Sequence, residues 1–567
     1  MPSIEESARK HALKNAYDYG KASPGNVVGK VIAECPDAKA DMKATMQVIA
    51  KAVAYVNTLA RDEIEKELSN YTFEQKKEEE KGIDVPDAVP GRVVVRFPPE
   101  PNGWPHIGHA KAFCISGEIA RKYNGKIILR WDDTNPEAEK AEFVDAIKDG
   151  IRWLGLTWDE EVYCSDWLPK MYELCEKLIL EGGAYACTCP QEKVAEGREK
   201  KVRCACGAHT PQKSMELWRR MLSGEIEEGG ATIRLKGDME SLNTVMRDPT
   251  LFRIITTPHY RQGTKYRVWP TYDFQGAVMD SLLGITHPIR SKEYELRDEL
   301  YVYLLEKLGL RIPKMISISR LAIRNAPVSK RLLRPLVESG KLWGWDDPRL
   351  PTLAGLRRRG ILPEAIRKFV LSFGISKVES EPPLDAVLIE NRKLLDPVAP
   401  HYFLVTNPVK VVVAGAQSQK ITMPAHPTNK ALGVREFNVG TEFYIDGDDA
   451  TQLRAGDVFR LKELYNVRVD SIGEGAISGT YMGTELLANT KKIQWAPVHG
   501  CINAEVYVPG ELLKDGEFNP ESMARKNGVC EPSCVALKKG DRVQLERMGF
   551  YIVDSNENGL LKFIKCD

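Results

Sequence analysis

The spacing of apolar and polar residues predicts a helical region at the start of the chain. Over residues 1–84, prolines are few and apolar residues recur at helical spacing, as in MKATMQVIAKAVAYVNTLARDEIEKEL. This period is typical of amphipathic helices, and we expect a small helical domain. The segment NYTFEQKKEEEKGIDVPDAVPGR then combines a charge run with two prolines, which predicts a linker.

Strands alternate with helices in the next region, residues 85–164. The runs RVVVRF and KIILRW predict short buried strands, and each precedes a loop and a segment with helical spacing. The first helical segment ends at Gly125. In the second, Asp133 or Thr134 is predicted to cap the helix, with Pro136 in its first turn. This order predicts half of a doubly wound α/β domain.

The alternation breaks near residue 165. An irregular region with two cysteine pairs occupies residues 165–270, and the strand-like segment WPTYDFQGAVMD then resumes the pattern. We therefore predict an insertion at 165–270 between two halves of the α/β fold, the second half being 271–334. Helical spacing dominates residues 335–384, and strands and turns dominate residues 385–567. The predicted fold class is multidomain α/β.

Composition narrows the classes of protein that fit this pattern. At 567 residues and 63.6 kDa, the chain is long enough for roughly three to five domains. With 43% hydrophobic and 28% charged residues, it contains no apolar run that could span a membrane and no apolar signal region. We expect a cytoplasmic protein without a membrane partner, whose 12 cysteines are reduced thiols or metal ligands.

The formal charges almost cancel, with 80 Lys plus Arg against 79 Asp plus Glu. The whole molecule is therefore not a basic body of the kind that coats nucleic acid, and any RNA contact must come from local patches. The densest basic runs are LRRRG at 356–360 and KRLLR at 330–334. An ordinary solvated helix face is the alternative for either run.

The stretch RFPPEPNGWPHIGHAKA joins a predicted strand to the start of a predicted helix. The first backbone N–H groups of a helix bind anions, and His106 and His109 would share one face there. Gly103 and Gly108 permit close backbone approach. This pattern favours phosphate binding, while a plain turn and cap or a metal site remain alternatives. A metal would need further ligands, and Glu100 is the one candidate on this segment.

The segment PEPNGWPHIGH resembles the HIGH signature of class I aminoacyl-tRNA synthetases, in the long form of the glutamyl and glutaminyl group. Further matches follow in order: LRWDDTNPE, RDPTLFRI, WPTYDFQGAVMDSLLGITH, SRLAI, APVSKR and WDDPRLPTLAGLRRRG. The resemblance covers about 91–567, and the first 84 residues resemble the extension of archaeal-type glutamyl enzymes. It implies a Rossmann-type catalytic domain with an inserted acceptor-stem domain, a helical subdomain and C-terminal all-β anticodon-binding barrels.

The resemblance implies a ligase that uses ATP with Mg²⁺ to activate an amino acid as its adenylate and transfers it to tRNA. His106 and His109 would act on the ATP phosphates, and Gly108 would leave room for the nucleotide. Lys330 in APVSKR matches the lysine of the mobile KMSKS-type loop, and Pro327 stands where the first lysine would be. The other residues implied to bind ATP are Glu100, Asn102, Arg320, Leu321, Val328 and Ser329.

The amino acid is expected to be glutamate, because its γ-carboxylate needs a cation that glutamine does not. Arg290 matches the arginine of glutamyl enzymes, Arg96 would be a second arginine, and Asp132 and Tyr272 would hold the amino group and shape the pocket. The alternatives are a glutaminyl enzyme or an inactive synthetase-like RNA-binding protein. Expected partners are L-glutamate and tRNA(Glu), with tRNA(Gln) as a second candidate acceptor and no DNA.

Two C-x-C pairs, Cys187/Cys189 and Cys204/Cys206, are separated by fourteen residues in the predicted insertion. Four thiolates at this density in a cytoplasmic protein suit a tetrahedral structural zinc. His209 is a substitute for one of them, and four free thiols are the alternative.

Overall fold

The structure is a computed structural model that describes residues 3–19, 21–59, 61–68, 70–71, 83–328 and 330–567. The chain divides into two compact units, Met1–Glu80 and Lys81–Asp567. The first unit contains the helices α1 (Ile4–Tyr19), α2 (Pro24–Glu34), α3 (Met42–Val56) and α4 (Arg61–Leu68). Residues four apart in α3, such as Ile49 and Val53, are buried on one face and form part of the core of this unit.

The second unit begins with β1 (Val94–Phe97), α5 (Ile107–Lys122), β2 (Lys126–Trp131), α6 (Ala141–Trp153) and β3 (Glu160–Tyr163). The strands form a parallel sheet in the order β1, β2, β3, with Val94 opposite Lys126 and Ile128 opposite Glu160. The apolar runs RVVVRF and KIILRW are therefore adjacent buried strands joined by a helix, as predicted.

The predicted start of the next helix is wrong. We expected a cap at Asp133 or Thr134 with Pro136 in the first turn, but α6 begins at Ala141. The carboxylate of Asp133 instead accepts hydrogen bonds from the backbone N–H (2.9 Å) and the hydroxyl (2.7 Å) of Ser165. This contact with a distant residue holds the segment as a buried loop.

The insertion contains α7 (Leu168–Leu180), β4 (Ala184–Cys187), α8 (Gln191–Glu199), α9 (Pro211–Ser223), β5 (Thr232–Leu235), β6 (Thr250–Ile254) and β7 (Val268–Pro270), and α10 (Tyr272–Leu282) follows. Strands β4 to β7 pair antiparallel in chain order. The expectation that WPTYDFQGAVMD is strand-like is therefore wrong after Pro270. Because residues 274–280 are all buried, α10 lacks the polar face that marks an amphipathic helix.

The chain continues with β8 (Ile289–Ser291), α11 (Asp298–Leu308), β9 (Ile316–Ile318), α12 (Lys330–Glu338), α13 (Leu353–Arg358), α14 (Pro363–Leu371) and α15 (Asp385–Leu395). Strands β8 and β9 are parallel and share the core of β1 and β2. Strands were expected from residue 385, but Val387, Asn391 and Leu395 are buried at helical spacing in α15. Among the described residues, no helix is long and apolar enough to cross a membrane.

The strand-rich end forms two nearly closed sheets, as predicted. Its elements are β10 (His401–Tyr402), β11 (Leu404–Thr406), β12 (Val409–Ala414), β13 (Gln419–Pro424), β14 (Val434–Val439), β15 (Glu442–Ile445), α16 (Gly447–Ala450), β16 (Val458–Leu461), β17 (Asn466–Gly473), β18 (Ala476–Tyr481), β19 (Lys491–Ile493), β20 (Trp495–Pro497), β21 (Ile502–Pro509), β22 (Leu513–Lys514), β23 (Glu517–Phe518), β24 (Met523–Cys530), β25 (Arg542–Leu545), β26 (Gly549–Glu557) and β27 (Leu560–Lys565).

In the proximal barrel the strand order is β19-β16-β17-β18-β12-β15-β20, and in the distal barrel it is β10-β25-β26-β27-β21-β24-β11. The two edge strands of each sheet are consecutive in the chain and separated by one residue, Gln494 in the proximal barrel and Phe403 in the distal barrel. Each sheet therefore curls back on itself, which protects its edges from pairing with another chain.

Two of the three arginines in the basic run LRRRG are paired or buried within the protein. Arg358 donates to the carboxylates of Asp554 (2.9 Å) and Asp346 (3.1 Å), and Arg359 is only 5% exposed. The expected RNA patch at this run is therefore wrong for these two arginines, because Arg358 joins α13 to the distal barrel and Arg359 is buried. The side chains of Arg331 and Arg334 in the run KRLLR are exposed.

Gly360 allows this junction to form. Its φ is +85°, and an added Cβ would lie 2.4 Å from Sγ of Cys566. We expect Gly360→Ala to destabilise the protein by about 1–3 kcal/mol more than Gly374→Ala, because the added methyl overpacks a full core. Gly374 is the matched control, since its φ is +55° and an added Cβ there would meet no atom of the described residues within 4 Å. Melting temperatures test this expectation, and equal losses would contradict it.

Candidate active site

A cavity of about 190 Å³ lies at the N-terminus of α5. Five residues that were predicted to contact ATP line it together: Glu100, Asn102, His106, His109 and Val328. The positive end of the α5 dipole lies at this cavity and favours an anion. The backbone N–H groups of Ile107, Gly108 and His109, which were expected to be unpaired, already donate to acceptors within the protein.

The hydrogen bonds of His106 and His109 define which ring nitrogens carry protons. Nδ1 of His106 accepts from the backbone N–H of Gly108 (3.1 Å), and Nδ1 of His109 accepts from the backbone N–H of His106 (3.2 Å). A neutral imidazole whose Nδ1 is an acceptor carries its proton on Nε2. Both rings are therefore hydrogen-bond donors through Nε2, and their centroids are 3.9 Å apart.

Gly108 is required by close packing on both sides. An added Cβ would lie 2.8 Å from Cε1 of His106 and 3.2 Å from the carbonyl oxygen of Leu321. Arg320, next to Leu321, is exposed, and its Nη1 lies 3.2 Å from the carboxylate of Glu293. The predicted residue Ser329 and the side chain of Lys330 lie outside the described part of the chain.

The segment before α13 is hydrogen-bonded to the first residue of α5 and to the loop that precedes it. The backbone N–H of Ile107 donates to the carbonyl of Pro351 (3.0 Å), and that of Leu353 donates to the carbonyl of Pro105 (2.8 Å). Sequence reasoning assigned no role to six further residues that line the cavity, because they carry no charge, although three of them lie inside quoted motifs: Trp104, Phe113, Ile147, Leu333, Trp345 and Thr352.

A second, smaller pocket contains Tyr272 and Arg290, two of the residues predicted to bind glutamate. The Arg290 guanidinium is 5.1 Å from the ring centroid of Tyr301 and 5.6 Å from that of Tyr294. Its Nη1 donates to the carboxylate of Asp298 (2.7 Å). The arginine is therefore a buried cation held between aromatic rings with one acidic neighbour.

The other two predicted residues, Arg96 and Asp132, belong to a buried ionic network behind this pocket. Asp280 accepts from Arg96 Nε (2.7 Å) and from Arg130, and Arg130 also donates to Asp132 (2.7 Å). Although burial acts to raise the pKa of Asp280, the charges of Arg96 and Arg130 hold it below its ordinary value. Sequence reasoning missed Arg130 and Asp280, although a charged residue inside an apolar run was a signal.

Comparison with known protein families matches most of residues 92–554. Residues 92–396 match the catalytic domain of the class I tRNA synthetases (E and Q), and residues 399–484 and 492–554 match the two anticodon-binding domains of that family. The chain belongs to this family.

Similar proteins from archaea span nearly the full length of this class I synthetase. A protein of Nitrosopumilus maritimus named glutamate–tRNA ligase is 41% identical over 98% of this chain and 99% of its own. Proteins of the same name from Korarchaeum cryptofilum and Pyrococcus furiosus are 40% and 38% identical, each over 98% of both chains.

In this class I synthetase the four cysteines predicted to bind zinc converge. The Sγ atoms of Cys187, Cys189, Cys204 and Cys206 all lie within 4.8 Å of one another. Nη1 of Arg234, which is 2% exposed, lies 3.6 Å from Sγ of Cys204. His209 is outside this group, and its Nδ1 lies 3.0 Å from the carbonyl oxygen of Ala186.

A buried acidic cluster holds the loop of the synthetase that carries Asp132. Nε2 of His259 lies 3.2 Å from the carboxylate of Glu139 and 3.7 Å from that of Asp133. Nδ1 of His259 accepts from the backbone N–H of Gln262 (3.0 Å), so the imidazole proton is on Nε2, facing the acids. Burial raises the pKa of Asp133 to about 7 and that of Glu139 to about 8.

This cluster predicts a pH dependence of stability. The folded-state pKa of Glu139 is raised, so its contribution to stability is complete below about pH 4 and is lost as the pH rises through about 8. In Glu139→Gln the side chain stays neutral. We therefore expect the melting temperature of the variant minus that of the wild type to rise by roughly 2 °C or more between pH 5 and pH 8. Glu137→Gln, an exposed position in the same loop, is the control, and a pH-independent difference for Glu139→Gln would contradict the raised pKa.

Proposed function

We propose that this protein is a glutamate–tRNA ligase. It uses ATP with Mg²⁺ to form glutamyl-adenylate and pyrophosphate, and then transfers the glutamyl group to the terminal ribose of tRNA(Glu). The observation that carries the proposal is the buried cation Arg290 in the pocket next to the nucleotide-binding fold. Full-length relatives with the name glutamate–tRNA ligase support it.

In the first step, a carboxylate oxygen of glutamate attacks the α-phosphorus of ATP in line with the departing pyrophosphate. His106 and His109 donate hydrogen bonds from Nε2 to the phosphate oxygens as negative charge develops on them. Lys330 supplies a cation that pairs with the phosphates as this charge develops. In the second step, a ribose hydroxyl attacks the acyl carbon and AMP leaves.

Arg290 and Arg96 select glutamate by charge. A γ-carboxylate that enters the pocket gains charge-assisted hydrogen bonds from a guanidinium that is already desolvated. A glutamine amide would place N–H donors against the same cation and leave polar groups unpaired. Tyr272 shapes the pocket, and Asp132 binds the amino group.

We further propose that the four converging cysteines hold a structural zinc. Four thiolates and Zn²⁺ carry a net charge of −2, which the buried Arg234 partly balances. Because four protein ligands leave no open position, the metal would join the turn at Cys204 to strand β4 and would take no part in catalysis.

Charging assays test the function. The purified protein is incubated with ATP, Mg²⁺, labelled glutamate or glutamine, and transcripts of tRNA(Glu) and tRNA(Gln). We expect glutamate on tRNA(Glu), and the tRNA(Gln) arm determines whether that acceptor is also used. Glutamine in excess of glutamate would establish the glutaminyl alternative, and no charging of either would favour the inactive RNA-binding alternative.

Arg290→Ala should raise the KM for glutamate about 100-fold and change the KM for ATP less than about threefold, since removal of a buried charge affects the ligand that it pairs with. Steady-state charging kinetics measure both values. Arg311→Ala is the control, because Arg311 is an exposed arginine that contacts the carbonyl of Ile285. Equal effects on both KM values would mean that Arg290 does not contact the side chain.

Metal analysis tests the zinc site. We expect about one zinc per chain, and Cys204→Ser or a chelator should lower both zinc content and melting temperature. Cys501→Ser, outside the cluster, is the matched control and should change neither. Less than about 0.2 zinc per chain after mild purification would establish free thiols instead.

A further inference from the structure

We propose that Asp280 is a positioning residue, whose buried carboxylate orients both the side-chain end and the amino end of the amino-acid site. The inference rests on the proposed function, because it concerns how the glutamate site is built. Asp280 would not touch the substrate and would act through Arg96 and Arg130.

Asp280 is the point at which two arginines meet. Its Oδ1 accepts from Nε of Arg96 (2.7 Å) and from Nη1 of Arg130 (2.5 Å), and its Oδ2 accepts from the hydroxyl of Tyr301 (3.0 Å). The residue is 1% exposed, so these bonds lie in a region of low dielectric. On α10, Tyr272, Gly276 and Asp280 are four residues apart and line the same pocket.

Each arginine connects Asp280 to a different end of the site. Nη1 of Arg96 also donates to the carbonyl of Ile289 (2.7 Å), which precedes the pocket cation Arg290. Arg130 instead donates to both carboxylate oxygens of Asp132, from Nε (2.7 Å) and from Nη2 (3.2 Å). One carboxylate thus fixes a guanidinium at the side-chain end and, through Asp132, the acceptor at the amino end.

The network is also balanced in charge. Arg96 and Arg130 face Asp280 and Asp132, and all four side chains are at most 8% exposed. Without the charge of Asp280, Arg96 would lose its acidic partner and Arg130 would pair with Asp132 alone. Asp132 would then be drawn toward the arginines and would be a weaker acceptor for the substrate ammonium group. A purely structural ion pair would affect stability without this effect on recognition.

Kinetics with glutamate and inhibition by glutarate, which lacks the amino group, separate the two ends. Asp280→Asn should raise both the KM for glutamate and the inhibition constant of glutarate about 10- to 100-fold, with the KM for ATP changed less than about threefold. Arg130→Met removes the guanidinium that holds Asp132 and leaves the bond from Arg96 to Asp280 in place, so its effect should fall mainly on the amino end. It should raise the KM for glutamate about tenfold and change glutarate inhibition less than about threefold.

Glu531→Gln is the matched control, because Glu531 pairs with Arg435 in an equally buried ion pair of the strand-rich region. It should lower the melting temperature and leave the KM for glutamate unchanged. If Asp280→Asn does not fold, Tyr301→Phe removes one bond to Asp280 and should raise the KM for glutamate about two- to fivefold.

The inference is overturned if Asp280→Asn or Tyr301→Phe lowers stability while the KM for glutamate stays within about twofold of the wild-type value. It is also overturned if glutarate inhibition responds equally to Arg130→Met and Asp280→Asn. The charging activity of the wild-type protein is measured first. If the wild-type protein does not attach glutamate to tRNA, that result contradicts the proposed function and not the role of Asp280.

Discussion

A buried network of oppositely charged side chains joins the two halves of the catalytic fold. Arg96 lies in β1 and Arg130 in β2, whereas their shared partner Asp280 is 184 and 150 residues away in α10. Unpaired buried guanidinium groups would be strongly destabilising, so the chain must return from the insertion with α10 against the sheet.

The sequence predicted the parts whose causes are local. Consecutive residues of the sequence show two β-branched or apolar runs, a helix after His106 and four cysteines in two pairs. In the structure these are adjacent strands, α5 and a thiol cluster. The late start of α6 was not predictable, because the partner of Asp133 is 32 residues away. Helix α10 was missed because it is buried on all sides and has no polar period.

The basic runs show the same limit of prediction from local sequence. The three arginines of LRRRG suggested an RNA surface, yet Arg358 pairs with Asp554, a residue 196 positions away in the distal barrel. A run of arginines in sequence gives the density of cations but not their partners. In a chain with 80 basic and 79 acidic residues, many cations are matched inside the protein. A basic surface is therefore better inferred from exposed arginines without acidic contacts than from runs.

The loop between β1 and α5 connects Arg96 of the buried ionic network to the histidines of the cavity. Residues 98–105 of this loop include four prolines, whose fixed φ angles limit its conformations. Two backbone bonds restrict it further, since the N–H of Asp132 donates to the carbonyl of Pro99 and that of Lys140 donates to Pro101, both at 3.0 Å. The loop that joins Arg96 to His106 therefore has few accessible conformations. Because the loop that carries Asp132 is hydrogen-bonded to the loop that leads to the histidines, a reacting carboxylate and phosphate bound at the two ends would be aligned at little further entropic cost.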